Sequence, residues 1–348
     1  MFEVKGQNRE CEEQLRERAG KLLASGEISA FIGYTYGSIP WMPRPFVART
    51  PEDADKLVWN SFLTLNLSNY LPGVLQELTP GMRKPEKPAD SAAFPRVGIV
   101  ATGCWSRNIV IQIQENQVAR ERVHIIGIAS RGMVSRQKVK DIVGAGDVEC
   151  IREDDYHIEF VMASGEEKAV SRWELVRENC KTCVHPEPVL SDEILGPGEQ
   201  KRMIDRRFEE LEPIEALDPQ GRWQWFQENF KDCIRCYACR NACPLCYCPT
   251  CFVDDSRPQW LGKSTELSDT LVFHILRAFH CAGRCTDCGA CESVCPVGIP
   301  MRLLTKKLVK DSKELLDWDP GMDPHAMPLL GSFSPNDPDI STVKGRAK

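Results

Sequence analysis

Hydrophobic and polar positions alternate along the first half of the chain in short blocks that have either helical or strand spacing. A strand, a helix and a strand in succession make a βαβ unit, and the two strands of such a unit run parallel. The first half is therefore predicted to be an α/β fold with parallel strands. The predicted elements are a helix over 8–25, a strand over 28–34, a helix from Thr50 to about Tyr70, a strand over 97–101, a helix over 106–117, and strands over 123–128, 156–162 and 169–176.

The second half of the chain has helical spacing as far as Trp318 and is rich in Pro and Gly after it. An end with little apolar material does not build a core of its own, so we expect an extended tail that is either disordered or laid over a partner. The predicted helices of this half lie over 196–233, 268–279 and 303–315. The segments that result are an N-terminal α/β segment (1–78), a Pro-rich linker (79–95), an α/β domain (96–196), a mainly α-helical domain (197–318) and an extended C-terminal tail (319–348).

Composition and charge narrow the class of protein. The chain has 348 residues, a net charge of −6 and a pI near 5.7. Such an acidic chain does not favour nucleic acid, whose phosphates select a basic surface. Its start is polar and acidic, so no signal peptide is expected, and no stretch approaches the roughly 18 to 20 apolar residues of a membrane span. We therefore expect a cytoplasmic protein without a membrane span.

Seventeen cysteines are the unusual feature of the composition. In a reducing compartment, clustered thiols are more typical of metal binding than of disulfides. A C-x2-C-x2-C-x3-C-P run occurs twice: Cys233, Cys236, Cys239 and Cys243 before Pro244, and Cys285, Cys288, Cys291 and Cys295 before Pro296. This internal repeat is the strongest signal in the sequence.

The spacing of the two runs predicts two [4Fe-4S] clusters. Three cysteines at this spacing wrap one iron–sulfur cube, and in two-cluster ferredoxins the fourth cysteine of each run binds the other cluster. The predicted ligands are Cys233, Cys236, Cys239 and Cys295 for the first cluster, and Cys285, Cys288, Cys291 and Cys243 for the second. Zinc also binds C-x2-C pairs, but it does not account for two four-cysteine runs that end in proline.

The helices between and after the runs indicate the all-helical type of ferredoxin domain. Five cations of the last helix are predicted to form a solvated face, and docking of an acidic partner is the alternative. They are Arg302, Lys306, Lys307, Lys310 and Lys313.

A second group of cysteines lies in the α/β part. Cys104 follows a predicted strand, at the edge of a parallel sheet where ligands bind. Together with the C-x2-C pair of Cys180 and Cys183, and with Cys150, it could hold a third [4Fe-4S] cluster. The alternative is a pair of structural thiols or a small zinc site. Cys11 is expected to take no part.

Four more cysteines flank the two runs. They are Cys246, Cys248, Cys251 and Cys281. The pattern leaves two alternatives open for them, a further metal or unliganded thiols.

Short motifs of the α/β part occur together in a known family. They are Val97-Gly98-Ile99-Val100-Ala101-Thr102-Gly103-Cys104, Ile125-Ile126-Gly127-Ile128, Cys180-x2-Cys183, Ser191-Asp192 and Gly196. In this order they resemble the beta-subunit family of deazaflavin (coenzyme F-420) hydrogenases and formate dehydrogenases. The two cysteine runs resemble the helical dicluster ferredoxins, including the C subunit of heterodisulfide reductases.

The resemblance implies FAD, iron–sulfur clusters and electron passage between a two-electron carrier and a chain of clusters. Two departures change what it implies. Ala129, Ser130 and Arg131 stand where the family has a cysteine, so a third cluster would need Cys150 as a substitute ligand. The glycine-rich flavin segment of the family has no clear counterpart in this sequence, so FAD is not part of the leading hypothesis.

The leading hypothesis is an iron–sulfur electron-transfer subunit of a cytoplasmic, multi-subunit oxidoreductase of anaerobic metabolism. Its partners would be a flavoprotein, a hydrogenase, a formate dehydrogenase or a heterodisulfide reductase-like subunit. The alternative is an FAD-containing enzyme that itself oxidises or reduces a soluble carrier such as deazaflavin or NAD(P)H, and a zinc-based scaffold is a third hypothesis. No catalytic residue is predicted, because the sequence contains neither a visible acid–base pair nor a nucleotide-binding loop.

Overall fold

The computed structural model describes residues 2–81, 94–198 and 206–331. The strands are β1 (Phe2–Val4), β2 (Ala30–Thr35), β3 (Arg44–Ala48), β4 (Val97–Ala101), β5 (Val123–Ile128), β6 (Val148–Glu153), β7 (His157–Met162), β8 (Glu167–Ser171) and β9 (Glu193–Leu195). The helices are α1 (Gln7–Ala24), α2 (Pro51–Ala54), α3 (Leu71–Leu78), α4 (Gly103–Gln114), α5 (Arg136–Val143), α6 (Arg172–Leu175), α7 (Glu178–Lys181), α8 (Glu212–Glu215), α9 (Pro219–Phe230), α10 (Ala238–Asn241), α11 (Leu267–His280), α12 (Ala290–Ser293) and α13 (Arg302–Leu316).

The larger sheet has five strands in the order β3-β2-β4-β5-β9. β2, β4, β5 and β9 run parallel, and β3 lies antiparallel at the edge on β2. The predicted βαβ unit is confirmed, because β4 pairs with β5 in parallel with Val97 opposite Val123. Every residue of β4 and β5 is buried, as continuous apolar runs are in a parallel sheet that is covered on both faces.

The smaller sheet has the order β1-β6-β7-β8, with β1 parallel to β6 and the other pairs antiparallel. The buried carboxylate of Glu153 at the end of β6 accepts hydrogen bonds from Asn8 Nδ2 at 2.7 Å and from the Ser61 backbone N–H at 3.1 Å. Residues before 79 therefore supply strands to both sheets. The segments predicted as 1–78 and 96–196 are built into one α/β structure.

The helix predicted from Thr50 to about Tyr70 is wrong beyond its first turn. α2 ends after four residues, and α3 begins only at residue 71 and contains Pro72. Between them the side-chain oxygens of Asn60 and Asn66 each accept a hydrogen bond from the backbone N–H two residues on, at 2.9 and 3.1 Å. Such local bonds compete with helix formation. The apolar residues of this stretch are instead buried against the sheets.

The described part of the second half contains helices α8 to α13, of which only α8 and α9 lie in the region predicted to be helical over 196–233. α11 and α13 confirm the helices predicted over 268–279 and 303–315. Their hydrophobic core contains cluster cysteines as well as apolar side chains. Its buried members are Phe226, Phe230, Cys233, Cys239, Val253, Leu261, Phe273, Ile299 and Met301.

The solvated face predicted for α13 is wrong for two of its cations. The side chains of Arg302 and Lys306 are only 3% and 1% exposed. Both pair with Glu210, and Arg302 also contacts Asp287 at 2.9 Å. A solvated face and a buried ion-pair network have the same sequence pattern, because the acidic partners lie far away along the chain.

Side chains of α4 join the α/β part to the rest of the chain. The buried guanidinium of Arg107 donates to the carbonyl of Pro320 at 2.8 Å and pairs with Asp319 at 3.1 Å. Glu115 near the end of α4 pairs with Arg284 at 2.5 Å. The beginning of the predicted tail is thus held by the chain's own α/β part, while most of the tail (332–348) and most of the predicted linker (82–93) lie outside the described residues.

Within the part of the chain that the structure describes, no helix has the length and apolar character needed to cross a membrane.

Candidate metal centres

The two cysteine runs fold in the same way. In each run a short helix, α10 or α12, carries the third cysteine. Residues ahead of that cysteine adopt the left-handed conformation: Arg235 (φ 50°), Tyr237 (φ 60°), Asp287 (φ 56°) and Gly289 (φ 70°). Alternation of right-handed and left-handed residues turns successive backbone N–H groups into a concave array that suits an anionic group.

Backbone N–H groups already point at two of the sulfurs. The N–H of Asp287 donates to Cys285 Sγ at 3.4 Å, and the N–H of Ile299 donates to Cys295 Sγ at 3.2 Å. Hydrogen bonds to sulfur are among the protein contributions that stabilise and tune an iron–sulfur cluster. The donor set of these loops therefore fits a cluster held by thiolates.

Thiols of one run lie beside thiols of the other. Burial raises the pKa of Cys233, and the neighbouring thiols of Cys295 and Cys236 raise it further. Burial also raises the pKa of Cys288, and Cys243 is among the thiols that add to the effect. Each predicted ligand set takes three cysteines from one run and one from the other, so it requires thiols of the two runs to lie close together. The sets themselves stay a prediction.

A single metal ion fits these loops poorly. Among the described residues, no group of three or more His, Cys, Asp or Glu side chains is arranged to hold one metal ion. Zinc needs its four ligands gathered tightly around one centre. The thiolates of a four-iron cube surround a larger object than one ion, so a cube does not require that tight arrangement.

His274 on α11 is a neighbour of the first predicted cluster, although its sequence context predicts no role in metal binding. Its Nε2 lies 3.3 Å from Cys233 Sγ, and its ring packs edge-on against Phe230 and Phe273. Burial and, to a smaller extent, the charge of Arg277 together lower the pKa of His274 to about 3. The imidazole is therefore neutral, and its Nε2 donates to the sulfur in the tautomer that carries the proton on that nitrogen.

Arg277, one turn further along α11, is buried between the two cysteine runs. Its guanidinium donates to the carbonyl of Cys239 at 3.1 Å. Burial works against its charged form, but the surrounding thiols, with Cys243 and Cys291 foremost, raise its pKa well above the usual value. Sequence reasoning missed this residue. The only signal was a histidine and an arginine three positions apart in the otherwise apolar stretch 271–279 of this helix.

Cys104, Cys180 and Cys183 line one cavity of about 40 Å³ at the carboxyl edge of the larger sheet. Cys104 lies in the first turn of α4, directly after β4, and Ser130 after β5 lines the same cavity. Burial raises the pKa of Cys104 to about 12, and the thiols of Cys183 and Cys180 add to the effect. The sheet edge that the sequence indicated is thus where these three thiols meet.

The structure does not bring Cys150 to this cavity. Cys150 is a half-buried residue of β6 and is fixed in the smaller sheet by pairing with β7. The alternation of side chains along a strand gives no information on which sheet the strand joins. The sequence therefore could not distinguish Cys150 from Cys104, Cys180 and Cys183. Gly103 lets the segment after Cys183 approach β4, because a Cβ at this position would lie 1.9 Å from the carbonyl oxygen of His185.

The Cys104 group is in direct contact with the second cysteine run. Asn108 Nδ2 donates to the carbonyl of Cys104 at 2.9 Å and to Thr286 Oγ1 at 2.6 Å. Asn179 Nδ2 donates to the carbonyl of Asp287 at 2.8 Å. Thr286 and Asp287 lie between the first two cysteines of that run, so the two groups are neighbours through a few hydrogen bonds.

The sequence model of the 4Fe-4S dicluster domain matches residues 229–299. The C-terminal half contains a dicluster domain. The chain therefore carries two [4Fe-4S] clusters, as its repeated cysteine runs predict.

Two curated relatives extend the comparison to the α/β part. The F420-dependent formate dehydrogenase subunit beta of Methanocaldococcus jannaschii is 22% identical over 293 residues, which is 68% of this chain and 77% of the relative. The F420-dependent formate dehydrogenase 1 subunit beta of Methanococcus maripaludis is 22% identical over 303 residues, 69% of this chain and 76% of the relative. These similarities confirm the resemblance predicted from the sequence.

A solved structure is similar over a comparable share of the chain. It is a chain of the F420-reducing [NiFe] hydrogenase complex from Methanosarcina barkeri, with a TM-score of 0.39 and 15% identity, covering 66% of this chain and 92% of that chain.

Proposed function

We propose that this chain is the iron–sulfur electron-transfer subunit of a multi-subunit oxidoreductase. The observation that carries the proposal is the cross-run arrangement of thiols within the dicluster domain, where Cys233 neighbours Cys295 and Cys288 neighbours Cys243. When bound, each cluster accepts and donates one electron at a time. The curated relatives are named as subunits of formate dehydrogenases, which supports a place for this chain beside other subunits.

The residues of the dicluster domain hold and insulate the two clusters. The eight cysteines of the repeat supply the ligands, in the two sets given by their spacing. Arg277 supplies a buried positive charge between them, and His274 directs a neutral N–H at one sulfur. Aromatic rings of α9 and α11 exclude water from the first site. This arrangement, with α11 and α13 around it, supports a helical type of dicluster domain.

The Cys104 group is proposed as a third cluster site on the same relay. Its support is the common cavity of Cys104, Cys180 and Cys183 and the contact of that group with Thr286. A cluster held there would have three cysteine ligands, and Ser130 lines the cavity where a fourth ligand is needed. The direct hydrogen bonds to the second run would keep the two redox centres close enough for electron transfer.

Metal analysis of the anaerobically purified protein tests the proposal. The repeat should supply about eight iron atoms and eight acid-labile sulfides per chain, and the Cys104 site about four more of each. Reduction with dithionite should give the electron paramagnetic resonance of reduced [4Fe-4S] clusters. Fewer than about four iron atoms together with stoichiometric zinc would overturn it.

A flavin assay and native mass measurement test the role as a subunit. The expected result is a stable complex with a flavin-bearing or catalytic subunit, and no FAD released from this chain itself. A chain that runs as an isolated monomer, contains FAD and turns over deazaflavin or NAD(P)H unaided would show that the enzyme hypothesis is right.

A further inference from the structure

A second cysteine-lined cavity lies between the loop that follows the first run and the end of α11. Its volume is about 540 Å³. The thiols that line it are those of Cys246, Cys248, Cys251 and Cys281. None of them belongs to the repeated runs or to the Cys104 group, and all four are free thiols. We call this the four-thiol cavity.

Two separate segments converge on the four-thiol cavity. Tight turns hold the loop, with the N–H of Cys246 donating to the carbonyl of Cys243 at 3.1 Å and the N–H of Asp254 donating to that of Cys251 at 2.8 Å. Cys281 caps the C-terminus of α11 and is buried. The loop thus presents three cysteines at C-x-C-x2-C spacing, and the end of α11 presents the fourth.

The cavity adjoins the predicted ligands of the second cluster. The thiol of Cys243 is within hydrogen-bonding contact of the thiols of Cys246 and Cys281. Arg277 lines the cavity as well as lying between the two repeated runs. A metal centre in this cavity would therefore be in direct contact with the relay.

The charge of the lining suits a group that carries several negative charges. Arg240, Arg277 and Arg284 line the cavity, and Asp254 is the acidic side chain among its lining residues. Asp254 pairs with Arg240 at 2.7 Å, and Arg284 pairs with Glu115 from the α/β part at 2.5 Å. Because Arg277 is surrounded by thiols, its charge is available to stabilise thiolates on both sides of it.

The four-thiol cavity resembles the repeat in the arrangement of its thiols. The four thiols are not arranged to hold one metal ion, but neither are the eight cysteines of the matched dicluster domain. Four cysteine thiolates are the ligand count of a cubic iron–sulfur cluster. We propose that the four-thiol cavity holds a further [4Fe-4S] cluster, with Cys246, Cys248, Cys251 and Cys281 as its ligands.

The test removes ligands that the other sites do not use. Cys248→Ser and Cys251→Ser are made in the full chain, purified anaerobically with its partner subunits, and Cys150→Ser in β6 is the matched control. Each loop variant should lose about four iron atoms and four sulfides per chain, and the control should lose none. The resonance signals of the repeat clusters should persist in all three, which separates this inference from the function proposed above.

Cys248 is exposed, so its substitution by serine does not disturb the core. Hydrogen exchange of α11 and α13 in each variant verifies the fold, and Cys251→Ala provides a second loop variant without a hydroxyl ligand. Loop variants that keep the parent's iron and sulfide would overturn the proposal. So would one zinc ion per chain that these variants lose, or a Cys246–Cys281 disulfide found by peptide mapping of the anaerobic protein.

Discussion

In the dicluster domain the thiols of each run lie a few residues apart, and Cys233 and Cys239 are members of the hydrophobic core. In the α/β part, Cys104 and Cys180 reach their cavity from segments that β5, α5 and the smaller sheet separate. The core beneath them consists of apolar strand and helix residues, and both thiols only pack against it. In the dicluster domain the metal ligands are part of the hydrophobic core, whereas in the α/β part they lie outside it. Loss of metal should therefore affect the two regions differently.

Removal of iron should give the largest effect. A domain whose core includes metal ligands loses folding free energy with its metal, whereas the parallel sheet of the α/β part is complete without it. After chelation under anaerobic reducing conditions, amides of 229–299 and α13 should lose protection from hydrogen exchange, and those of β4 and β5 should keep it. Equal loss in both regions, measured by mass spectrometry of peptides, would contradict the comparison.

Substitution of a single thiol in the α/β part should remove a cluster without unfolding the sheet. Cys180→Ser is expected to lower the iron content by about four atoms per chain while the thermal midpoint of the α/β part changes little. Cys150→Ser and Cys11→Ser are controls from the same region, and both should keep the parent's iron. If Cys180→Ser also keeps it, no third cluster exists.

The joint between the two regions depends on a buried ion pair. Although burial acts in the opposite direction, hydrogen bonds from His185 and Arg207 and the charge of Arg107 hold the pKa of Asp319 far below its usual range. Asp319→Asn leaves Arg107 buried without its carboxylate and should cost roughly 3 kcal/mol of folding free energy. Asp317→Asn is the control, because its exposed pair with Lys313 is worth less than about 1 kcal/mol.

The joint should also respond to pH with a defined sign. A carboxylate whose pKa is lowered on folding stabilises the protein above its unfolded pKa of about 4, and this contribution is lost as the pH falls below that value. The difference in stability between the parent chain and Asp319→Asn should therefore shrink in acid. Denaturation curves at pH 7 and at several pH values below 4 measure this difference, and a difference that widens in acid would contradict the proposed ion pair.

The smallest effect is expected at the hydrogen bond between His274 and Cys233. His274→Phe keeps a ring between Phe230 and Phe273 but removes the N–H donor. A hydrogen bond contributes a net stabilisation of about 0.5 to 1.5 kcal/mol. Its removal should shift the reduction potential of the first cluster by about 20 to 60 mV toward more negative values. Redox titration followed by paramagnetic resonance detects this shift. His157→Phe, an exposed substitution in β7, should leave every potential unchanged.

Local spacing carried most of what the sequence predicted correctly. The repeated runs, the βαβ unit and α11 depend on residues that are neighbours along the chain. Arg302, Lys306 and Cys150 depend on which distant segments meet, and periodicity contains no such information. Arg302 looked solvated because its partner Glu210 lies before the first cysteine run.

The stretch from Thr50 to Tyr70 shows a second reason for failure. Its start was correct, since α2 begins directly after Thr50, and Thr50 and Asp53 form a capping box there. The helix does not continue, because the side-chain oxygens of Asn60 and Asn66 accept hydrogen bonds from the backbone N–H groups two residues further on. Helical spacing of apolar residues therefore predicts burial here but not the backbone conformation that achieves it.

The parallel pairing of β1 with β6 has a consequence for the order of events during synthesis. β1 leaves the ribosome before the rest of the α/β part, and its partner Ile151 follows only after β2, β4 and β5 have been made. Glu153, which Asn8 and Ser61 both contact, arrives equally late. The smaller sheet can therefore close only after most of the larger one has emerged. Until then the nascent α/β part exposes an unpaired strand edge, the kind of surface to which chaperones bind.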